Sequence, residues 1–181
     1  MNENQILINT SRGEVVDGDA LKKVLKKQRI RAAALDVWEN EPNIDSKLLK
    51  LLYSGTPHIA GYSLDGKAMG TMMCVQALGV FFDLPCRNWE VNDIPMPAQP
   101  TEFTLDVSDK KPQEVLAEAI LYTYNVLNDY TTLKSDISSF EKQRSDYPVR
   151  REFPAFSVRV LNDDTGRSTV FLREAGFNIT E

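Results

Sequence analysis

QILINTSRGEVVDGDALKKVLKKQRIRAAALDV, residues 5–37, decides the fold. The apolar run Gln5 to Asn9 stops at the polar, turn-forming Thr10-Ser11-Arg12-Gly13, as a short buried strand does. From Asp17 to Lys27 the apolar residues Ala20, Leu21, Val24 and Leu25 recur at helical spacing behind an aspartate able to cap the first turn. Ile30 to Val37 is again apolar and too short for a helix of its own. A strand, a helix and a strand in so few residues form a right-handed crossover, and its strands run parallel.

The alternation continues outward. Ser46 to Tyr53 carries four leucines and predicts a brief helix ending near Gly55. Thr56 to Ala60 (TPHIA) predicts a third strand, and Lys67 to Leu84 an apolar helix. Prolines 85, 95, 97 and 100, interspersed with Asn88, Asn92 and Asp93, mark residues 85–100 as a linker. Beyond it Phe103, Leu105 and Val107 alternate with polar residues, Pro112 to Asp136 predicts one long helix, and Ile137 to Tyr147 a continuation or a second helix. Phe156, Val158 and Val160 alternate again, and Thr165 to Ala175 predicts a helix ended by Gly176. The expected organisation is α/β over residues 1–84, a linker over 85–100 and a small α+β module over 101–181.

Composition narrows the function classes. A net charge of -5 without a basic stripe argues against nucleic acid as a partner. Two cysteines, Cys74 and Cys86, and a single histidine provide neither a disulfide framework nor a zinc ligand set, and predict buried, reduced thiols in a cytoplasmic protein. No apolar run reaches the length of a membrane span, and the first ten residues lack the pattern of a secretory leader.

In a parallel sheet ligands bind beyond the carboxyl ends of the strands. Thr10, Ser11 and Arg12 follow the first predicted strand; Asp36, Glu39 and Glu41 lie at and after the second; His58, Gly61 and Tyr62 lie in and after the third. Arginine, carboxylate and imidazole at one edge suit a 2-hydroxy acid. Arg12 would hold the carboxylate with its planar fork, His58 would exchange the hydroxyl proton, and Glu41 would fix which ring nitrogen carries it. The same residues taken singly have plainer readings as a surface arginine, a turn glutamate and a hydrogen-bonded structural histidine.

The segments ILINTSRGEVVDGDAL, AALDVWENEP and TPHIAG resemble, in order and interval, the arginine, glutamate and histidine segments of the D-2-hydroxyacid dehydrogenase family. The continuation HIAGYSLDGKAMGT is similar to a narrower branch of that family, although Met69 stands where those relatives carry arginine. The resemblance implies that residues 1–84 are the later part of a Rossmann-like NAD-binding domain and that 101–181 form a dimerisation domain giving a homodimer. It implies oxidation of 4-phospho-D-erythronate to 3-hydroxy-2-oxo-4-phosphooxybutanoate, a step toward pyridoxal 5'-phosphate. Arg12, Glu41 and His58 would be catalytic, with His58 the proton donor in the reducing direction. Thr10, Ser11, Arg12, Asp36 and Gly61 would lie along NAD and Tyr62 would touch the substrate. No GxGxxG occurs, so the phosphate cradle is not encoded here and the chain by itself is expected to be inactive. A piece of a longer dehydrogenase and a short interaction protein that keeps only the pairing module are both compatible with these residues.

Overall fold

The computed structural model describes residues 2–180. It forms two compact units: the chain up to Ala60 with Val126–Tyr147, and Gly61–Asn125 with the chain from Pro148 onward. This division differs from the sequence boundary at 85–100, because a chain segment joins whichever core buries its apolar face.

In the first unit β1 (Ile6–Asn9), β2 (Ala32–Leu35) and the two-residue β3 (Ser54–Gly55) form a parallel sheet in that order. Asp17 caps α1 (Gly18–Lys26) by accepting from the Ala20 N–H at 2.9 Å, and Asp45 caps α2 (Ser46–Leu49). Lys22 pairs with both Asp19 and Asp45, tying the two helix starts together. Ala33 and Leu35 turn one face of the sheet into a core shared with Leu21, Trp38, Leu48 and Leu49. The opposite face carries Ile6 and Ile8, 54% and 71% exposed, along an open groove of about 680 Å³. Parallel sheets are ordinarily covered on both faces, so this one is half dressed.

TPHIA is not a strand. After β3 the regular pairing ends, and two main-chain bonds to the neighbouring segment remain, Thr56 N–H to the Leu35 carbonyl and His58 N–H to the Asp36 carbonyl. Pro57 has no N–H to give, and His58 takes a left-handed conformation at φ 56°. The predicted helix over 112–136 is also two: α4 (Pro112–Thr123) and α5 (Val126–Ser135), separated by an extended Tyr124. The apolar stripe divides accordingly. Val115 and Ala119 are buried in the second unit's core, whereas Leu133 is buried in the first, with Phe140 of α6 (Phe140–Ser145) beside it. The buried ends of the stripe are core, while Val126 and Leu127 between them remain exposed.

The second unit has its own parallel sheet, β4 (Glu102–Asp106), β5 (Ser157–Leu161) and β6 (Asn178–Thr180), in place of the α+β arrangement expected. Leu105, Val107, Phe156 and Val158 pack with Val115 and Ala119 of α4 and Leu172 of α7 (Arg167–Glu174). The unit also holds the 18-residue α3 (Leu64–Phe81), on which Cys74 is exposed, against the expectation of a buried thiol. Most of this apolar helix has no cover among the described residues, and no described helix is long and apolar enough to cross a membrane.

Two loops are bound to the start of α3. Ser63 accepts the Gly66 N–H and donates its hydroxyl to Glu152, while Arg151 grips Asp65 through Nε and Nη2 and reaches the Ile94 carbonyl with Nη1. Partial burial pushes the Asp65 carboxyl upward, but hydrogen bonds from Arg151 and the Glu152 N–H outweigh it and hold the group below its ordinary 3.8. A depressed folded pKa stabilises above the unfolded value and loses that contribution as pH falls through the folded one. Asp65→Asn is therefore expected to lower the urea midpoint at neutral pH and to narrow its drop in acid below 3.8; equal drops in both proteins would remove Asp65 from the acid response.

Candidate active site at the first sheet's carboxyl edge

Three loops leave the carboxyl ends of β1, β2 and β3, and each is fixed by a different device. The first begins at Asn9, which is buried. Its Oδ1 accepts from the Ser11 N–H and hydroxyl at 3.1 and 2.8 Å, and its Nδ2 donates to the Arg12 carbonyl at 2.9 Å. An asparagine ending a strand before Thr-Ser-Arg-Gly is a turn-former by chemistry, and the sequence reading passed over it. Gly13 then packs its backbone on that of Trp38: a Cβ there would lie 2.0 Å from the Trp38 carbonyl oxygen. Only glycine admits that approach. The Arg12 side chain is exposed, and among the described residues its guanidinium bonds only the neighbouring Ser11 carbonyl, at 2.6 Å.

On the second loop two glutamates have separate tasks. Glu39 accepts the Gly18 N–H at 2.9 Å at the start of α1. Glu41 accepts the Trp38 N–H with Oε1 at 2.8 Å and meets His58 Nδ1 with Oε2 at 2.7 Å. Glu41 and His58 are 21% and 29% exposed, so the pair is partly shielded while the ring keeps an open side.

The third loop wraps around Asp36, which is 5% exposed. Its Oδ1 accepts from the Thr56 hydroxyl at 2.6 Å and the Ile59 N–H at 2.8 Å; Oδ2 accepts the Ala60 N–H at 2.9 Å. The Asp36 carbonyl accepts the His58 N–H at 2.7 Å. The left-handed turn at His58 is what brings successive N–H groups onto one carboxylate. Such a conformation at a non-glycine residue persists only where its surroundings enforce it.

Of the residues singled out in the sequence, Glu41 and His58 are therefore in direct contact, and Asp36 holds the histidine's loop. Arg12 stands on the adjoining loop, bonded to neither. Thr10 is exposed where the open groove meets the sheet edge, and Ser11 is committed to Asn9. Gly61 and Tyr62 belong to the second unit; Gly61 has φ 79°, and the Lys67 ammonium lies 4.2 Å above the Tyr62 ring. Trp38, Asn9, Gly13 and Thr56 hold these loops without having been marked by spacing or residue type.

Residues 1–60 match the D-isomer specific 2-hydroxyacid dehydrogenase, NAD binding domain. An erythronate-4-phosphate dehydrogenase of Bacteroides thetaiotaomicron is 40% identical over 84% of this chain and 41% of its own length. Those of Marinobacter nauticus and Proteus mirabilis are 36% and 38% identical over 99% and 98% of this chain, and 48% and 47% of their own. The chain spans less than half the length of these relatives.

Proposed function

We propose that this chain, a D-2-hydroxyacid dehydrogenase relative by its first 60 residues, is the catalytic-residue portion of an NAD-dependent enzyme that oxidises 4-phospho-D-erythronate in the cytoplasm. The observation that carries the reading is the 2.7 Å contact between Glu41 and His58 Nδ1. A carboxylate on Nδ1 orients the ring and leaves Nε2 to take the hydroxyl proton as C2 is oxidised. The exposed Arg12 fork, with Nη1 on the Ser11 carbonyl, leaves Nε and Nη2 to receive the substrate carboxylate two-pronged, which would set the reacting carbon's orientation.

The residues fit one side of a dinucleotide. Thr10 and Arg12 offer a hydroxyl and a cation at the sheet edge, and Ser11, whose hydroxyl proton goes to Asn9, offers an accepting oxygen, whereas a glycine-rich cradle for the pyrophosphate is absent from the sequence. NAD, when bound, supplies the nicotinamide carbon that accepts hydride. Asp36 serves it through the loop it shapes, since both carboxylate oxygens are already engaged. Gly61 along NAD, Tyr62 at the substrate and homodimer formation through residues 101–181 belong to the same proposal and rest on resemblance.

The test is a chimera in which this chain replaces the matching part of the B. thetaiotaomicron relative. The expected result is NADH formation from 4-phospho-D-erythronate by the chimera and none by the chain alone. A folded chimera that binds NAD but forms no NADH overturns the proposal.

A further inference from the structure

Trp38 touches all three loops of the site, each through a different part of the residue. Its carbonyl lies against Gly13, next to Arg12. Its main-chain N–H donates to Glu41 Oε1 at 2.8 Å, the oxygen not used by His58. Its indole Nε1–H donates to the Thr56 carbonyl at 2.9 Å, two residues before His58, and its ring closes over Gly55, where a Cβ would meet it at 2.8 Å. At 4% exposure the ring is core, yet a phenyl group would fill a core. The indole N–H does something more specific. Beyond Thr56 the chain has left the β ladder, so that buried carbonyl has no strand partner, and among the described residues the indole is its one donor.

We propose that Trp38 is the positioning residue of the Glu41–His58 pair, holding the glutamate through its main chain and the histidine's loop through its indole. It sets the glutamate oxygen and the imidazole nitrogen in register, so that one ring tautomer, Nδ1–H, is selected. The proposal rests on reading Glu41 and His58 as the proton-handling pair, and its test does not depend on turnover.

His58 is the only histidine of the chain, so two-bond ¹H–¹⁵N spectra of histidine-labelled protein report its tautomer without ambiguity. Trp38→Phe keeps an aromatic ring and the main-chain N–H, and deletes the indole donor together with the part of the ring that lies over Gly55. The expected result, at a pH where the ring is neutral, is a folded protein in which the ratio of Nδ1–H to Nε2–H tautomer falls about fivefold, the factor of one neutral hydrogen bond of about 1 kcal/mol. A folded Trp38→Phe protein whose histidine spectrum superimposes on the native one overturns the positioning role and leaves Trp38 as core filling. Should Trp38→Phe fail to fold, benzothienylalanine at position 38, which has the indole's shape without its N–H, is read the same way. Loss of activity in the chimera with an unchanged tautomer shift would fault the assigned reaction and not the positioning.

Discussion

His58→Asn in the chimera is expected to lower turnover by roughly 10²- to 10⁴-fold while NADH affinity stays within about twofold, the span general acid–base catalysis contributes. Asparagine is the informative substitution because His58 sits at φ 56°, a region asparagine tolerates and alanine does not. The loop that donates the Ile59 and Ala60 N–H groups to Asp36 should therefore persist. The asparagine amide can still donate to Glu41, so the glutamate is not left facing an empty site. What disappears is the imidazole, the group proposed to carry the substrate proton. Initial rates followed by NADH absorbance, with NADH binding followed by its fluorescence, separate the two effects. Turnover within tenfold of native would show that the proton leaves by another route; equal losses of turnover and NADH affinity would mean that the loop, not the imidazole, had been removed.

The sequence made the first two strands and α1 plain because their signals are local: an apolar run, a polar stop, a capping aspartate. Its failures all involve partners far along the chain. TPHIA has the composition of a strand, and nothing near it reveals that Asp36, more than twenty residues earlier, accepts its N–H groups and bends it away from the sheet. The stripe from Val115 to Leu133 is continuous in helical spacing, but its two ends are buried in different cores, so the break at Tyr124 follows from packing that spacing does not encode. β6, three residues long and beginning two after Gly176, is too short to show any period, and the register with β5 is what makes it a strand. Within the site, residue type pointed to Glu41 and His58 because their chemistry is distinctive. Trp38 and Asn9 were missed since aromatic and amide side chains at strand ends are ordinarily packing and turn residues; their roles appear only in the hydrogen bonds.

Asp36→Ala is the substitution expected to cost the fold most. In the native protein the carboxylate accepts three hydrogen bonds from groups at or within five residues of Thr56, all of them shielded from water to some degree. Alanine strands two main-chain N–H groups and a hydroxyl, and leaving a buried donor unpaired costs about 1–3 kcal/mol each. The total expected is about 3–5 kcal/mol, less than the sum because Ala60, at the outer end of the loop, can rotate toward water. In a chain of this size that is a fall in melting temperature of roughly 6–20 °C. The effect should be local before it is global: the remaining anchors of the turn, the His58 N–H on the residue-36 carbonyl, the Glu41 contact and the Trp38 indole, hold neither the Ile59 nor the Ala60 N–H, so those two amide protons should exchange faster than those of β1 and β2. Asp36→Asn discriminates further. It keeps one accepting oxygen but presents an NH₂ group to donors that need an acceptor, so it should lie between native and alanine in stability. Hydrogen exchange across residues 54–60 with paired thermal melts checks both variants. Native-like protection of Ile59 in Asp36→Ala would mean that the loop is held from elsewhere, and the account of how His58 is placed at the sheet edge would fail with it.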